Sequence, residues 1–503
     1  MSLHAQAPPL RVGAKVGYGV GYLATGVVLT GLSATVLTFY LNQVVGVPAL
    51  LSGTLIALSL MFDAVIDPLI GQWSDNLRSR WGRRHPFMYV AAVLWALSFY
   101  ILWHAPKELS GSYLLVFILV LLVAVRVSGS LYDITSNALV PELAPGYDER
   151  TGLLSFRWFF LIIGLAGMSV LLNAYFLAHD ASHQGLLARN GYARFGAFGA
   201  VVVFLAAMVS ALSTHHRIKY LHAPPVRRVT LVETVKEMAA TMTNPTLLIL
   251  LLCGLLGGAA GGLRTALDNY FYLHFWGLTP TQIGILAPLG VLGSVVAVLI
   301  APVLSRRLGK KMTMITFFTF STIISLAPMG LKLMGLMPPN SSGWVLVILC
   351  LDALVVAILG VSGFVIISSM VADVVEDQAV KTGVRSEGLL FATNGLVPKF
   401  TTAIGVFFAG VLINAVHFPD HAKPGTVPPE LMRELVLSFL PVYVVLVSLS
   451  IGVLLFYRID RSAHEANMAR MRDAAALAAT SHVVEAEQGG GSFTPPLHSP
   501  GEA

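Results

Sequence analysis

The stretch Asp63-Ala64-Val65-Ile66-Asp67-Pro68-Leu69-Ile70-Gly71 continues through Ser74-Asp75, Arg78 and Arg80 to Trp81-Gly82-Arg83-Arg84-His85-Pro86-Phe87. Its two aspartates sit inside an apolar run. Four residues apart on a helix, their carboxylates share one face, roughly 6 Å apart along the axis. A charge at the centre of a bilayer costs about 2.5–3.5 kcal/mol on insertion scales, so such a pair calls for a cation, a proton or a basic partner from another helix. The rest of the chain says that the surroundings are a bilayer. Of 503 residues, 56% are hydrophobic and 12% charged, against about a quarter charged in soluble domains, which excludes a soluble globular protein. The net charge of +6 comes from basic residues collected in short gaps between apolar blocks; these are topology signals, and no nucleic-acid partner is expected. Cys253 and Cys350, both within apolar runs, give neither a disulfide framework nor a thiolate metal site. Pro8, Pro9, Arg11 and Lys15 lead into an apolar block without a small-residue cleavage site, so the first helix is expected to be retained.

Apolar runs broken by charge clusters and Gly, Pro and Asn signals predict an all-α polytopic membrane protein with twelve transmembrane helices near 15–43, 50–75, 86–105, 112–143, 151–179, 195–214, 245–275, 280–304, 311–336, 342–376, 386–417 and 431–458. With both termini in the cytoplasm, only Lys107, Arg189, Arg194, Lys332, Lys423 and Arg433 fall outside, so the positive-inside bias orients the protein that way. The polar stretch 215–244, with His215, His216, Arg217, Lys219, Pro224 and Pro225, reads as a cytoplasmic linker between two six-helix pseudo-symmetric halves, 1–214 and 245–458. A second sign of duplication is the match between the basic loop after helix 2 and Ser305-Arg306-Arg307-Leu308-Gly309-Lys310-Lys311 after helix 8. Orientation explains the charges of these loops but not the repeated glycine. The tail 459–503, Ala-rich and then Gly- and Pro-rich, reads as partly disordered and cytoplasmic.

Few polar residues interrupt the spans. Asp133 begins a stripe with Thr135, Ser136 and Asn137 that could complete an oxygen cage with Asp63 and Asp67, or be compensated by Arg126 two turns earlier. Hard oxygen ligands suit an alkali cation, and carboxylates in a low dielectric could equally share a proton, so Na+ and H+ stay open. Two aspartates on one face exceed what one basic partner is expected to neutralise. Arg157 and Lys399, isolated cations beside Phe156, Trp158, Phe159 and Phe400, are expected to line a central cavity, to partner the acids across helices, or both. Arg264 and Asp268, four apart with opposite signs, read as a self-contained ion pair, with a gating or substrate contact as the alternative. Asp352, Asp373, Glu376 and Asp377, near span ends, read as snorkelling charges. Tyr18, Tyr22, Tyr132 and Phe364 could stack on a sugar ring, or simply pack. No His-Glu-x-x-His and no phosphate-binding Gly-x-x-x-x-Gly-Lys loop occurs, and His464-Glu465 lacks a second histidine, so neither an enzyme nor an ATP-driven pump is expected.

The quoted stretch, with Asp133 to Pro141, Arg157, Val371-Ala372-Asp373, Arg385-Ser386-Glu387 and Lys399, resembles the glycoside-pentoside-hexuronide:cation symporters, a branch of the major facilitator superfamily that includes the melibiose permease. The resemblance implies the major facilitator fold and symport by alternating access, with Asp63, Asp67 and Asp133 as the cation (metal) site for Na+ or H+. It places Arg157 and Lys399 at or beside the sugar cavity. Two departures are visible. The first-helix aspartate that grips the galactoside falls on Gly26, and the sugar-stacking tryptophan of the fourth helix falls on Asn137. A small neutral galactoside is therefore disfavoured. Arg157 and Lys399 favour a uronide or another polyhydroxylated solute oriented by Asp133, Asn137 and Asn394. The runner-up, resembling the sodium-dependent lysolipid transporters, is an amphiphile carrier; a non-transporting membrane sensor is the alternative of another class. Gly71, Asp75, Arg83 and Arg84 are expected to form a cytoplasmic latch that holds the halves together in the outward-open state. The expected partners are the plasma-membrane bilayer and a small carbohydrate, with no cofactor beyond the coupling ion and a monomeric state.

Overall fold

The structure, a computed structural model, describes residues 10–144, 147–178, 185–218, 245–382 and 397–457. These form twelve helices long and apolar enough to cross a membrane. We number their helical cores α1 Val12–Gly31, α2 Ala49–Asn76, α3 His85–Trp103, α4 Gly111–Leu143, α5 Tyr147–Leu171, α6 Arg189–His215, α7 Pro245–Tyr270, α8 Pro280–Leu308, α9 Lys310–Leu333, α10 Gly343–Thr382, α11 Val397–Ala415 and α12 Pro429–Leu454. Of the expected linker 215–244, His215 ends α6 and 219–244 lie outside the described residues, as do the tail and the start of the eleventh expected span.

Two equivalent crossings carry the duplication that the loops only hinted at. At the first, α1 packs on α5 at Gly26, where a Cβ would lie 2.6 Å from both Leu161 O and Leu165 N. At the second, α7 packs on α11 at Gly405, where a Cβ would lie 2.5 Å from Ala259 O and Leu263 N. Helices in lipid gain little from hydrophobic burial and associate through close van der Waals approach, which needs small residues at the contact. The first and fifth helix of each half are thus welded backbone to backbone. Gly26 is consequently not the gap left by a lost carboxylate, because no side chain fits there.

Both basic loops also need their glycine. Gly82 and Gly309 adopt φ of +76° and +78°, a region that favours glycine. Each loop is then clamped within its own half. Arg84 Nε lies 2.9 Å from Glu142 Oε1 at the end of α4, and Lys310 Nζ lies 2.7 Å from Asp373 Oδ2 near the end of α10.

The halves meet at the end remote from the termini, where α1 continues past a break at Ser33 as Ala34–Phe39 and a π-helical turn Tyr40–Val45. There Thr35 Oγ1 donates to Thr265 O (2.8 Å) and Asn269 Nδ2 to Thr35 O (3.0 Å). Tyr270 donates to Asn42 Oδ1 (2.8 Å), Asn42 Nδ2 to Asp420 Oδ1 (2.7 Å) and Ala422 N to Gln43 Oε1 (2.8 Å). Below this polar seal lies a cavity of about 1030 Å³, whose lining runs from Asn269 and Tyr272 down to Leu250, Ser368, Val371 and Pro398 near the terminus side.

Candidate functional site

Asp63 is buried on the face of α2 that meets α4 and α11. One of its oxygens accepts from Ser130 Oγ (2.8 Å), and the other lies 2.7 Å from Lys399 Nζ. One turn on, Asp67 Oδ2 lies 2.5 Å from the same ammonium. Asp67 Oδ1 is buried and has no hydrogen-bond partner among the described residues. A single lysine therefore bridges both acids, contrary to the expectation that the pair would exceed one partner. The reason is geometric. The first turn of α11 aims Lys399 between two carboxylates stacked on one helix face, and an ammonium with three donors can serve both. Asp133 accepts from Thr25 Oγ1 (3.0 Å) and feels the charges of Asp67, Asp63 and Lys399. Arg126 turns away from Asp133 and donates Nε to Ser59 Oγ (3.0 Å), so it is not the compensating partner. Among the described residues no three acids converge on one metal-sized point, since Lys399 occupies the space between two of them and Thr25 holds the third.

Arg157 is buried, donates to Asn137 Oδ1, and has its guanidinium carbon 3.5 Å from the centroid of the Tyr22 ring. Tyr18 donates to Ser136 O (2.9 Å) from full burial. Tyr132 is equally buried and stacks on Trp95, with ring centroids 5.8 Å apart. Of the four aromatics named as stacking candidates, only Phe364 lines the cavity. Neither Arg157 nor Lys399 lines it; of the two roles expected, Lys399 takes the partnering of acids across helices and Arg157 is held by Asn137. Asn394 lies outside the described residues.

The polar residues that do line the cavity belong largely to the C-terminal half: Arg264, Asp268, Asn269, Tyr272, Thr401 and Tyr443. The pair of Arg264 and Asp268 is not self-contained. Their separation is 3.8 Å, whereas Arg264 Nη2 reaches Asp352 Oδ2 of α10 at 2.7 Å. Asp352, expected to snorkel, is buried, because it lies more than two turns inside α10, where Arg264 of α7 meets it. The small residues leading into Arg264 gave no signal of this partner, because Gly258 and Gly262 bring α11 close, at Thr401, Thr402 and Gly405, whereas Asp352 stands on α10.

The expected latch closes on itself in this structure. Arg83 and Arg84 pair with Glu142 at 2.5 and 2.9 Å and with Asp75 at 3.9 and 3.1 Å, all within the N-terminal half. Burial pulls the Arg84 guanidinium below its usual value while Glu142 opposes that shift. Gly71 has only a 3.9 Å contact to Ile134 awaiting a Cβ, so packing does not demand a glycine there. Breaking a buried ion pair costs about 3–5 kcal/mol, so Arg83→Ala combined with Arg84→Ala, which leaves Glu142 without either partner, is expected to lower the unfolding midpoint of the detergent-solubilised protein. Cysteine-accessibility labelling is expected to stay unchanged. A shifted labelling pattern at full stability would indicate a latch between halves.

A family model described as MFS/sugar transport protein matches residues 17–461. An uncharacterised symporter of Synechocystis sp. is 25% identical over 92% of this chain and 97% of its own. The isoprimeverose transporter of Lactiplantibacillus pentosus is 24% identical over 86% of this chain and 85% of its own. Among solved structures, a mutant of the nucleoside transporter NupG superposes with a TM-score of 0.62 at 15% identity, covering 88% of this chain and 99% of that one, a likeness of fold. With a model that spans nearly the whole chain and a fold of two six-helix halves, this protein belongs to the MFS/sugar transport family, as a multi-pass membrane transporter of the major facilitator superfamily.

Proposed function

We propose that this transporter is a symporter that couples entry of Na+ or H+ at Asp63, Asp67 and Asp133 to movement of a polyhydroxylated solute. The observation that carries the reading is the convergence of two carboxylates from α2 on the ammonium of Lys399 from α11, a contact that spans the two halves. A positive charge must sit there, since two adjacent carboxylates repel at low dielectric. In this conformation the chain supplies the charge itself. Entry of the coupling cation, or protonation, releases Lys399 and with it the tie between α2 and α11, so ion binding and the rearrangement of the halves become one equilibrium. The unpartnered Asp67 Oδ1 and the hydroxyls of Ser130 and Thr25 are the further oxygen ligands that an alkali cation would need. With both termini cytoplasmic, as the basic residues favour, the sealed end faces out and the cavity opens inward.

The match to a sugar-transport family and to an isoprimeverose transporter supports a carbohydrate as the solute. A second reading rests on the cavity wall, where Leu250, Leu251, Val361, Phe364 and Ile367 offer apolar surface suited to an amphiphile. Uptake into proteoliposomes, with Na+ and pH gradients imposed separately, tests the proposal across neutral glycosides, uronides and lysophosphatidylcholine. We expect concentrative glycoside uptake with one of the two gradients. Uptake indifferent to both gradients would reject symport, and uptake of lysophosphatidylcholine alone would replace the carbohydrate.

A further inference from the structure

The charges named so far leave the substrate cavity with an unexpected sign. Arg157 and Lys399, the two cations that would favour an acidic sugar, are tied into Asn137 and the Asp63–Asp67 pair and do not line the cavity. Arg264 does line it, but its charge is met by Asp352 at 2.7 Å. That leaves Asp268. Its side chain is 20% exposed on the cavity wall and only 3.8 Å from Arg264 Nε, and it forms no hydrogen bond among the described residues. Its carboxylate therefore keeps most of its lone pairs for a donor arriving from the cavity. The ion pair beneath it is equally underused, since Asp352 Oδ1 and Arg264 Nη1 are buried without hydrogen-bond partners among the described residues. Buried polar atoms are paired in the great majority of cases, so these two mark capacity still unfilled in this conformation. Thr265, Asn269 and Tyr272 beside Asp268, with Tyr443 and Asn173 from other helices, complete a polar patch under the outer seal.

We propose that Asp268, held by the Arg264–Asp352 pair, is the specificity-determining acceptor for substrate hydroxyls, and that it selects neutral hydroxylated solutes over acidic ones. The inference rests on the carbohydrate-transport reading and refines it, replacing the uronide preference that the bare charges of Arg157 and Lys399 suggested. The chemistry is that of two acids against one base. One carboxylate is neutralised, and the other presents a net negative charge that accepts two O–H bonds from a vicinal diol. A substrate carboxylate placed against it meets like-charge repulsion in a site partly screened from water. Below the patch, the glycines of α7 and Phe364 leave an apolar wall along which a flat or aliphatic aglycone can lie.

The test uses the purified full-length protein and two probes alike except at one carbon, 4-nitrophenyl β-glucoside and 4-nitrophenyl β-glucuronide, with lysophosphatidylcholine as the third. Binding and proteoliposome uptake are measured for the parent, Asp268→Asn and Asp268→Glu, with the unfolding midpoint of each checking the fold. We expect the parent to prefer the glucoside at least tenfold. Asp268→Asn is expected to lose glucoside affinity tenfold or more and to narrow or reverse the preference, and Asp268→Glu to keep its sign. A parent that prefers the glucuronide, or a preference ratio unmoved by Asp268→Asn in a folded variant, overturns the role of Asp268 while leaving carbohydrate transport standing. Transport of lysophosphatidylcholine with no binding of either glycoside overturns both.

Discussion

Asp67→Asn is expected to abolish concentrative uptake while leaving insertion and energetically downhill exchange intact. One charge moved through about 100 mV gains roughly 2.3 kcal/mol, which is about a 50-fold accumulation for each coupled charge. Without the second carboxylate the Lys399 ammonium keeps only Asp63, and an entering cation loses a ligand that the parent holds 2.5 Å from that ammonium. The accumulation ratio should therefore fall to near unity in proteoliposomes carrying an ion gradient and a membrane potential, while counterflow of labelled substrate persists. Accumulation that survives in Asp67→Asn, or that is indifferent to collapse of both ion gradients in the parent, would remove Asp67 from the coupling site.

The second large effect is one of stability. Arg264→Ala strips from Asp268 and Asp352 the only basic group that pairs with them among the described residues; their side chains are 20% and 8% exposed. An uncompensated buried charge costs about 3–5 kcal/mol, whereas replacing a whole buried pair by apolar groups is often close to neutral. Arg264→Ala should accordingly unfold at a markedly lower temperature in detergent, and Arg264→Ala with Asp352→Ala should recover the part of the loss due to Asp352, since Asp268, the more exposed acid, still lacks its base. Equal stability of the parent and Arg264→Ala would show that the pair contributes nothing to holding α7 against α10.

The twelve spans were legible because hydropathy over twenty residues is a local property and the bilayer reads it the same way. The acids at positions 63, 67 and 133 stood out for the same reason: a charge in an apolar run needs no neighbour to be noticed. Pairing is a different matter. Lys399 is 332 residues from Asp67, and Arg264 is 88 from Asp352. Spacing along one helix offered the nearer partner, Asp268, although the crossing helix supplied the stronger one. Glu142 escaped notice as the anchor of Arg83 and Arg84 because an acid at a span end looks like any other surface charge until the loop is folded back on it. Gly26 shows the limit from another side: the sequence reveals that a carboxylate is absent there, and only the packing of α5 shows that backbone fills the place.

The polar seal remote from the termini, with Thr35 against α7 and Asn42 and Gln43 against the α11–α12 connection, sets how costly it is for the protein to turn over. A greasy plug would have to expose its apolar area to water each time it parted, at about 25 cal/mol per Å². Amide, hydroxyl and carbonyl groups instead trade one another for water at a net cost of about 0.5–1.5 kcal/mol per bond. A closure stitched from such exchangeable bonds keeps the two resting shapes close in free energy. With the coupling proposed above, a single ion moving down its gradient is then enough to decide which shape prevails, and the carrier works near balance rather than against a spring.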